Sequence, residues 1–148
     1  NPASKRLHFS FENQLTAPFF GDSLRIKIIF HNIINNSIRY QDTEKENSYL
    51  DVKVKVIDNQ CCIIFQDNGI GISEQSKPRI FEMFYRGTEK ADGSGFGLYM
   101  VKQAIEKLGG TIECESQEHE GTTFVVKLPI VLAGEEMRLE EVEAPRKG

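Results

Sequence analysis

Asp67-Asn68-Gly69-Ile70-Gly71-Ile72 follows directly on Cys61-Cys62-Ile63-Ile64-Phe65, a nearly continuous apolar run that suits a central strand. An ionised carboxylate at a strand end accepts hydrogen bonds. Two glycines two residues apart let the backbone pass close to a flat ligand with no side chain in the way. The exocyclic amine of adenine is one donor that such a carboxylate would receive; an ordinary tight turn is the competing reading.

Upstream of this stretch, Val52, Val54 and Val56 alternate with Asp51, Lys53 and Lys55 at the two-residue period of a strand. Asp58-Asn59-Gln60 then reads as a tight turn, so the two strands form a hairpin that ends at Asp67. Earlier still, Gly21-Asp22-Ser23 supplies capping chemistry for a helix from Leu24 to Tyr40, a segment with no Gly or Pro inside it. Before that helix, Leu7, Phe9 and Phe11 alternate with polar residues as a half-buried strand would. Gln41 to Ser48 is polar and reads as a loop.

Downstream, Ser73 can cap a short helical piece leading to Ile80-Phe81-Glu82-Met83-Phe84, and Tyr85 to Gly97 is a polar, glycine-rich loop. Leu98, Val101, Ala104, Ile105 and Leu108 recur at helical spacing up to Gly109-Gly110. Thr111 to Ser116 and Thr122 to Leu128 read as a closing hairpin around Gly121, with Pro129 ending its second strand.

The 148 residues, 39% apolar and 27% charged, suffice for one globular domain and are too few for two comfortable ones. We assign that domain to residues 1–132 and treat the acidic stretch 133–148 as a tail. No run approaches the roughly 18 apolar residues a membrane helix needs. No signal-peptide pattern argues for export, and the start at Asn1-Pro2 suggests a fragment. A net charge of −4 offers no general electrostatic reason to bind nucleic acid or an anionic membrane, so any phosphate chemistry has to be local. Cys61, Cys62 and Cys114 are odd in number and lack metal-ligand spacing, which favours buried reduced thiols in a cytosolic setting.

Two further segments carry chemistry. On the long helix, at about 100° per residue, Asn32, Asn35, Asn36 and Arg39 fall within a roughly 100° arc, with Phe30, Ile33, Ile34 and Ile38 opposite. Three asparagines in mid-helix need solvent or a polar ligand to satisfy their amides, and an amide oxygen suits magnesium; a solvated face is the alternative. Gly93-Ser94-Gly95-Phe96-Gly97-Leu98 runs straight into the second helix, where backbone N–H groups and the positive end of the helix dipole make a phosphate seat. The third glycine of a dinucleotide fingerprint comes one residue early here, and the Gly-Lys-Ser/Thr ending of a Walker loop is missing. A flexible hinge is the competing reading.

In this order the segments resemble the ATP-binding catalytic domain of sensor histidine kinases, within the superfamily shared with DNA gyrase, the heat-shock chaperone ATPase and mismatch-repair ATPases. Asn32 to Tyr40 is similar to that family's N box, Asp67 to Ile72 to its G1 box, Ile80 to Arg86 to its F box and Gly93 to Leu98 to its G2 box. Gly121-Thr122-Thr123-Phe124 resembles its closing motif, and the likeness covers roughly Leu7 to Val131. The implied fold is an α/β two-layer sandwich of Bergerat type: a mixed, largely antiparallel sheet with helices packed on one face.

The resemblance implies roles residue by residue. Asn36 would hold Mg2+, Asn32 would lie near the phosphates, Arg39 would meet phosphate charge and Tyr40 would lie against the adenine ring. Asp67 would accept from the adenine amine, with Gly69, Gly71 and Ile72 shaping the base pocket. Arg86 would reach the γ-phosphate, with Lys90 as a possible helper. Gly93, Gly95, Phe96, Gly97, Leu98 and Thr122 would complete the ATP site. Tyr85 to Gly97 would form a lid, with Phe81 and Phe84 anchoring it in the core.

Hydrolytic members of the superfamily carry a glutamate one helical turn before the magnesium asparagine. Asn32 stands there in this chain, and a carboxamide is no general base at neutral pH. Neighbouring His31 points about 100° away and reads as a partly buried helix histidine. The implied reaction is transfer of the γ-phosphoryl group of ATP to a histidine on an upstream dimerisation domain, with Arg86 and Asn32 as the catalytic candidates. A degenerate nucleotide-sensing module and an ATP-hydrolysing relative are the alternatives. The implied partners are those phospho-acceptor helices and, through them, the receiver domain of a response regulator. The piece itself is expected to be monomeric and cytoplasmic, and the parent of such a domain is often anchored in the inner membrane.

Overall fold

A computed structural model describes residues 7–16, 21–83, 85 and 96–130. In chain order the elements among the described residues are β1 (Leu7–Asn13), α1 (Ser23–Arg39), β2 (Ser48–Ile57), β3 (Gln60–Asp67), α2 (Gly97–Lys107), β4 (Thr111–Gln117) and β5 (Gly121–Pro129), with a 3₁₀ turn at Lys77–Arg79. The five strands form one sheet in the order β1-β2-β3-β5-β4. Only β1 and β2 run parallel, joined through α1; every other pair is antiparallel. Both helices lie on the same face, as expected of an α/β two-layer sandwich.

Local chemistry accounts for most boundaries. Asp22 caps α1, its Oδ1 accepting the Leu24 and Arg25 N–H groups at 3.0 and 3.2 Å. The β2–β3 hairpin turns on Asp58 and Asn59, whose positive φ angles of 51° and 64° are those a two-residue turn of type I′ demands. The helical piece expected after Ser73 is limited to the 3₁₀ turn, with the Ser73 hydroxyl accepting the Ser76 N–H at 3.2 Å.

β3 is central and pairs on both sides; Cys61, Cys62, Ile63 and Phe65 of its apolar run are buried, and Ile64 is half-buried. Phe65 lies between Val52 and Phe124, and Cys62 between Lys55 and Lys127. The main core fills the space between the inner sheet face (Leu50, Val52, Val54, Cys61, Ile63, Phe65, Phe124, Val126, Leu128) and the helices, which contribute Ile29, Ile33, Val101, Ala104 and Ile105. Phe81 packs edge-on to Phe124, the ring centres 6.4 Å apart. The cysteines are free, and burial pushes the Cys61 and Cys114 thiols up to about 11.

Three expectations need correction. Phe9 and Phe11 are each 52% exposed, because β1 is an edge strand on which only Leu7 reaches the core. α1 presents Ile29, Ile33 and Ser37 to the core while Ile38 is exposed, so its buried stripe is rotated from the one read off the sequence and includes a serine. His31 is exposed, within 3.0 Å of the Asn35 amide nitrogen. The acidic tail (133–148), Phe84, Arg86, Lys90, Gly93 and Gly95 lie outside the described residues. Among the described residues, no helix is long and apolar enough to cross a membrane.

Candidate functional site

The carboxyl end of β3 opens onto a cleft of about 460 Å³. Its walls come from α1 (Asn36 and the capping residue Tyr40), the turn after β3 (Ile70, Gly71, Ile72), the segment Ser73–Tyr85, the start of α2 (Leu98), and the β4–β5 hairpin (Glu118, His119, Thr122). Asp67 sits among them as the last residue of β3.

Asp67 is held by three donors from three places in the chain. Its Oδ1 accepts the Gly69 N–H at 2.9 Å and the Thr122 N–H at 3.2 Å, and its Oδ2 accepts the Ser37 hydroxyl at 2.9 Å. Burial pushes its pKa above the ordinary carboxylate value, and those hydrogen bonds together with the Lys45 ammonium oppose the push. A carboxylate fixed this way at the wall of a cleft keeps spare lone pairs on Oδ2 for one more donor.

The two glycines after Asp67 are required by close approach. A Cβ on Gly69 would stand 2.5 Å from the Tyr40 carbonyl oxygen. One on Gly71, whose φ is +73°, would stand 2.1 Å from that of Gln117. The turn is thereby pressed between the end of α1 and the β4–β5 hairpin. Ile70 bonds to both sides, its N–H donating to the Tyr40 carbonyl at 3.0 Å and its carbonyl accepting the His119 N–H at 2.7 Å. Ser116 Oγ accepts the Ile72 N–H and donates to the Gly121 carbonyl, both at 2.8 Å.

Of the residues singled out in the sequence, Asn36, Tyr40, Asp67, Gly71, Ile72, Leu98 and Thr122 line this one cleft. The carboxamide stripe of α1 is not shared out evenly. Asn36 faces the cleft. Asn32 donates back to the Ile28 carbonyl at 2.8 Å, and its Oδ1 lies against Gly97 at the head of α2. Arg39 is exposed, and Gly69 is buried behind the cleft wall under Tyr40. Phe96 precedes α2 with its ring 6.2 Å from that of Tyr99.

Several residues in or behind the wall carried no signal of their own in sequence. Ser37 looks like a neutral helix residue until β3 is docked beneath it. Asn68 stitches the turn to the α1–β2 loop, accepting the Tyr49 N–H at 2.8 Å and donating to the Asn47 carbonyl at 2.7 Å. Tyr85 donates to Ser76 Oγ at 2.9 Å under the Arg79 guanidinium, which lies 4.5 Å from its ring centre. The β4–β5 turn brings Glu118 and His119 to the rim.

The cleft therefore combines a half-buried carboxylate acceptor, an apolar wall (Ile70, Ile72, Ile80, Leu98) and a helix carboxamide, a set of groups that suits a purine nucleotide. Residues 21–132 match the model of the family described as histidine kinase-, DNA gyrase B- and HSP90-like ATPases. The chain belongs to this ATPase family. Within the family it is an ATP-binding catalytic domain of the sensor histidine kinase type. It is 32% identical over 126 residues to the sensor protein CiaH of Streptococcus pneumoniae, a match that covers 82% of this chain and 28% of that one. The chain thus spans little more than a quarter of the length of that relative. The mycobacterial sensor histidine kinase MprB superposes with a TM-score of 0.71 at 26% identity, covering 84% of this chain and 82% of the other. A full-length ShkA in complex with AMPPNP shares the fold, with a TM-score of 0.75 at 22% identity over 89% of this chain and 27% of that one.

Proposed function

We propose that the cleft binds Mg-ATP and that the chain passes its γ-phosphoryl group to a histidine on a dimerisation segment of the same sensor kinase. Family membership supports ATP as the nucleotide, and the ShkA relative is described with the ATP analogue AMPPNP. The observation that carries the reading is Asp67: a half-buried carboxylate at a strand end, fixed by three donors, lining a cleft that Asn36 also lines.

In this reading Asp67 Oδ2 accepts the adenine amine. The base lies along Ile70 and Ile72, with Tyr40 closing one side and Leu98 the other. Gly71 lines the base pocket with no side chain, and Gly69 lets the turn pack under Tyr40 behind it. Asn36 supplies an amide oxygen to Mg2+, a hard cation that takes its remaining ligands from phosphate and water. That ion would neutralise phosphate charge during transfer. Arg39, Gly93, Gly95, Phe96 and Gly97 are assigned to the phosphate end by position in the motifs. Arg86 is assigned to the γ-phosphate, because a permanently charged guanidinium can contact two phosphate oxygens at once.

Asn32 is committed to the Ile28 carbonyl and offers no basic atom to water, so the chemistry rests on positioning and charge neutralisation rather than on activating a hydrolytic water. The acceptor histidine, the dimer and the response-regulator receiver domain belong to the rest of the kinase, residues 1–132 to the catalytic domain, and the site of action to the cytoplasm. The test is a phosphorylation assay with the acceptor helices restored. Radiolabel from γ-labelled ATP should appear on the acceptor histidine, and Arg86→Ala should reduce that transfer more than it reduces ADP affinity. Rapid steady hydrolysis without any phosphohistidine would refute the assignment.

A further inference from the structure

Lys45 lies in the polar loop between α1 and β2, where a lysine is expected to face water. Its side chain instead turns inward and is half-buried. The ammonium donates to the Asn68 carbonyl at 2.9 Å and to the Glu120 carbonyl at 3.3 Å, joining the α1–β2 loop, the turn after β3 and the β4–β5 hairpin. The two carbonyls are not arbitrary. That of Asn68 belongs to the same planar peptide unit as the Gly69 N–H, which donates to Asp67 Oδ1, so holding its oxygen sets the direction of that N–H. That of Glu120 leads into Gly121-Thr122, and the Thr122 N–H is the second donor to the same oxygen. A single cation thus grips both backbone segments that orient the carboxylate.

We propose that Lys45 is the positioning residue of the base pocket: by clamping the Asn68 and Glu120 carbonyls, its ammonium aims the Asp67 carboxylate at the adenine amine. This inference rests on the nucleotide reading above and goes beyond it, since Lys45 lies in none of the motifs that suggested that reading. Charge acts in the same sense as geometry here: burial is opposed first by the Gly69, Ser37 and Thr122 hydrogen bonds, and then by the Lys45 ammonium. The other titratable groups coupled to this carboxylate or lining its cleft are Cys114 on β4, Tyr40 at the end of α1, Tyr85 in the segment before α2, and Glu118 and His119 on the β4–β5 hairpin. The Cys114 thiol, pushed up to about 11, stays neutral from mildly acid to neutral pH.

The test is calorimetric titration of ADP into the whole chain at a series of pH values from mildly acid to neutral. Base recognition needs Asp67 ionised, so wild-type affinity falls on acidification. Losing a nearby positive charge disfavours the carboxylate, so Lys45→Met should move that fall to higher pH and lower the affinity about tenfold at neutral pH. Lys45→Arg should restore both. Should Lys45→Met fail to fold, Lys45→Gln carries the test, since it keeps an amide donor near the carbonyls. It should still move the acid limb, with a smaller loss of affinity. An equal loss at every pH, with the acid limb unmoved, would mean a merely structural lysine and would overturn the proposal, as would a variant indistinguishable from wild type. A wild-type chain that ignored ADP would overturn the nucleotide reading itself, an outcome distinct from either.

Discussion

Replacing Asp67 by asparagine separates binding from folding at one atom. Oδ1 accepts from the Gly69 and Thr122 N–H groups, and an asparagine oxygen can do the same. The new Nδ2 takes the place of Oδ2, where it meets the Ser37 hydroxyl, which can rotate and accept. Every internal partner is therefore satisfied after the change. What is lost is the acceptor facing the cleft, where the adenine amine would now meet a donor. A hydrogen bond to a charged group contributes about 1.5–3 kcal/mol, so ADP and ATP affinity should both fall roughly 10- to 150-fold.

Stability should move the other way, or not at all. Burial raises the Asp67 pKa in the fold above its unfolded value, so the stability tied to its protonation is fully present below the unfolded pKa. That stability is lost as pH rises through the folded pKa. At neutral pH the ionised carboxylate is a cost that the amide removes. The variant should unfold at or slightly above the wild-type temperature at neutral pH, and the gap should shrink on acidification as the wild-type residue takes up its proton. Calorimetric titration with both nucleotides, beside thermal unfolding at several pH values, reads both effects. Unchanged affinity would refute the role of Asp67 in base recognition. Affinity lost together with a collapse in unfolding temperature would show that the carboxylate is structural.

Asn36→Ala should leave ADP binding in the presence of chelator nearly intact and remove most of the gain that magnesium confers; titrations with and without the ion check this. Gly71→Ala would force a Cβ onto the Gln117 carbonyl at a φ of +73°, so a loss of at least about 2 kcal/mol is expected in urea unfolding. Ser37→Ala removes the hydroxyl from Asp67 Oδ2 and should weaken ADP binding by about 1 kcal/mol at neutral pH, more at mildly acid pH, because the carboxylate loses a donor that favours its charged form.

The hairpins and both helices were legible because their signals are local. Alternating valines, the Asp-Asn turn, an aspartate cap and apolar residues at helical spacing each act within a few residues. What depends on which elements become neighbours was less legible. Phe9 and Phe11 alternate as a buried strand would, yet the strand order leaves them at an edge, where α1 offers Phe11 only the rim of Phe30 at 6.5 Å. The asparagine stripe lies on the helix that walls the cleft, and Asn36 lines it. The fate of Asn32 and Asn35 was set by partners on their own helix, the Ile28 carbonyl and His31. Ser37 and Lys45 gave no sequence signal because serine in a helix and lysine in a loop are ordinary; their roles come from backbone segments 23 to 75 residues away.

Backbone amide shifts of the isotope-labelled chain, recorded while Mg-ATP is added, probe the shared cleft most directly. Asn36 and Leu98, the Asp67–Ile72 turn and Thr122 should shift together along a single binding curve, with the outer sheet face around Lys53 and Lys55 unmoved. Shifts confined to one of these segments, separate curves for α1 and the turn, or a spectrum unaltered by the nucleotide would contradict the account.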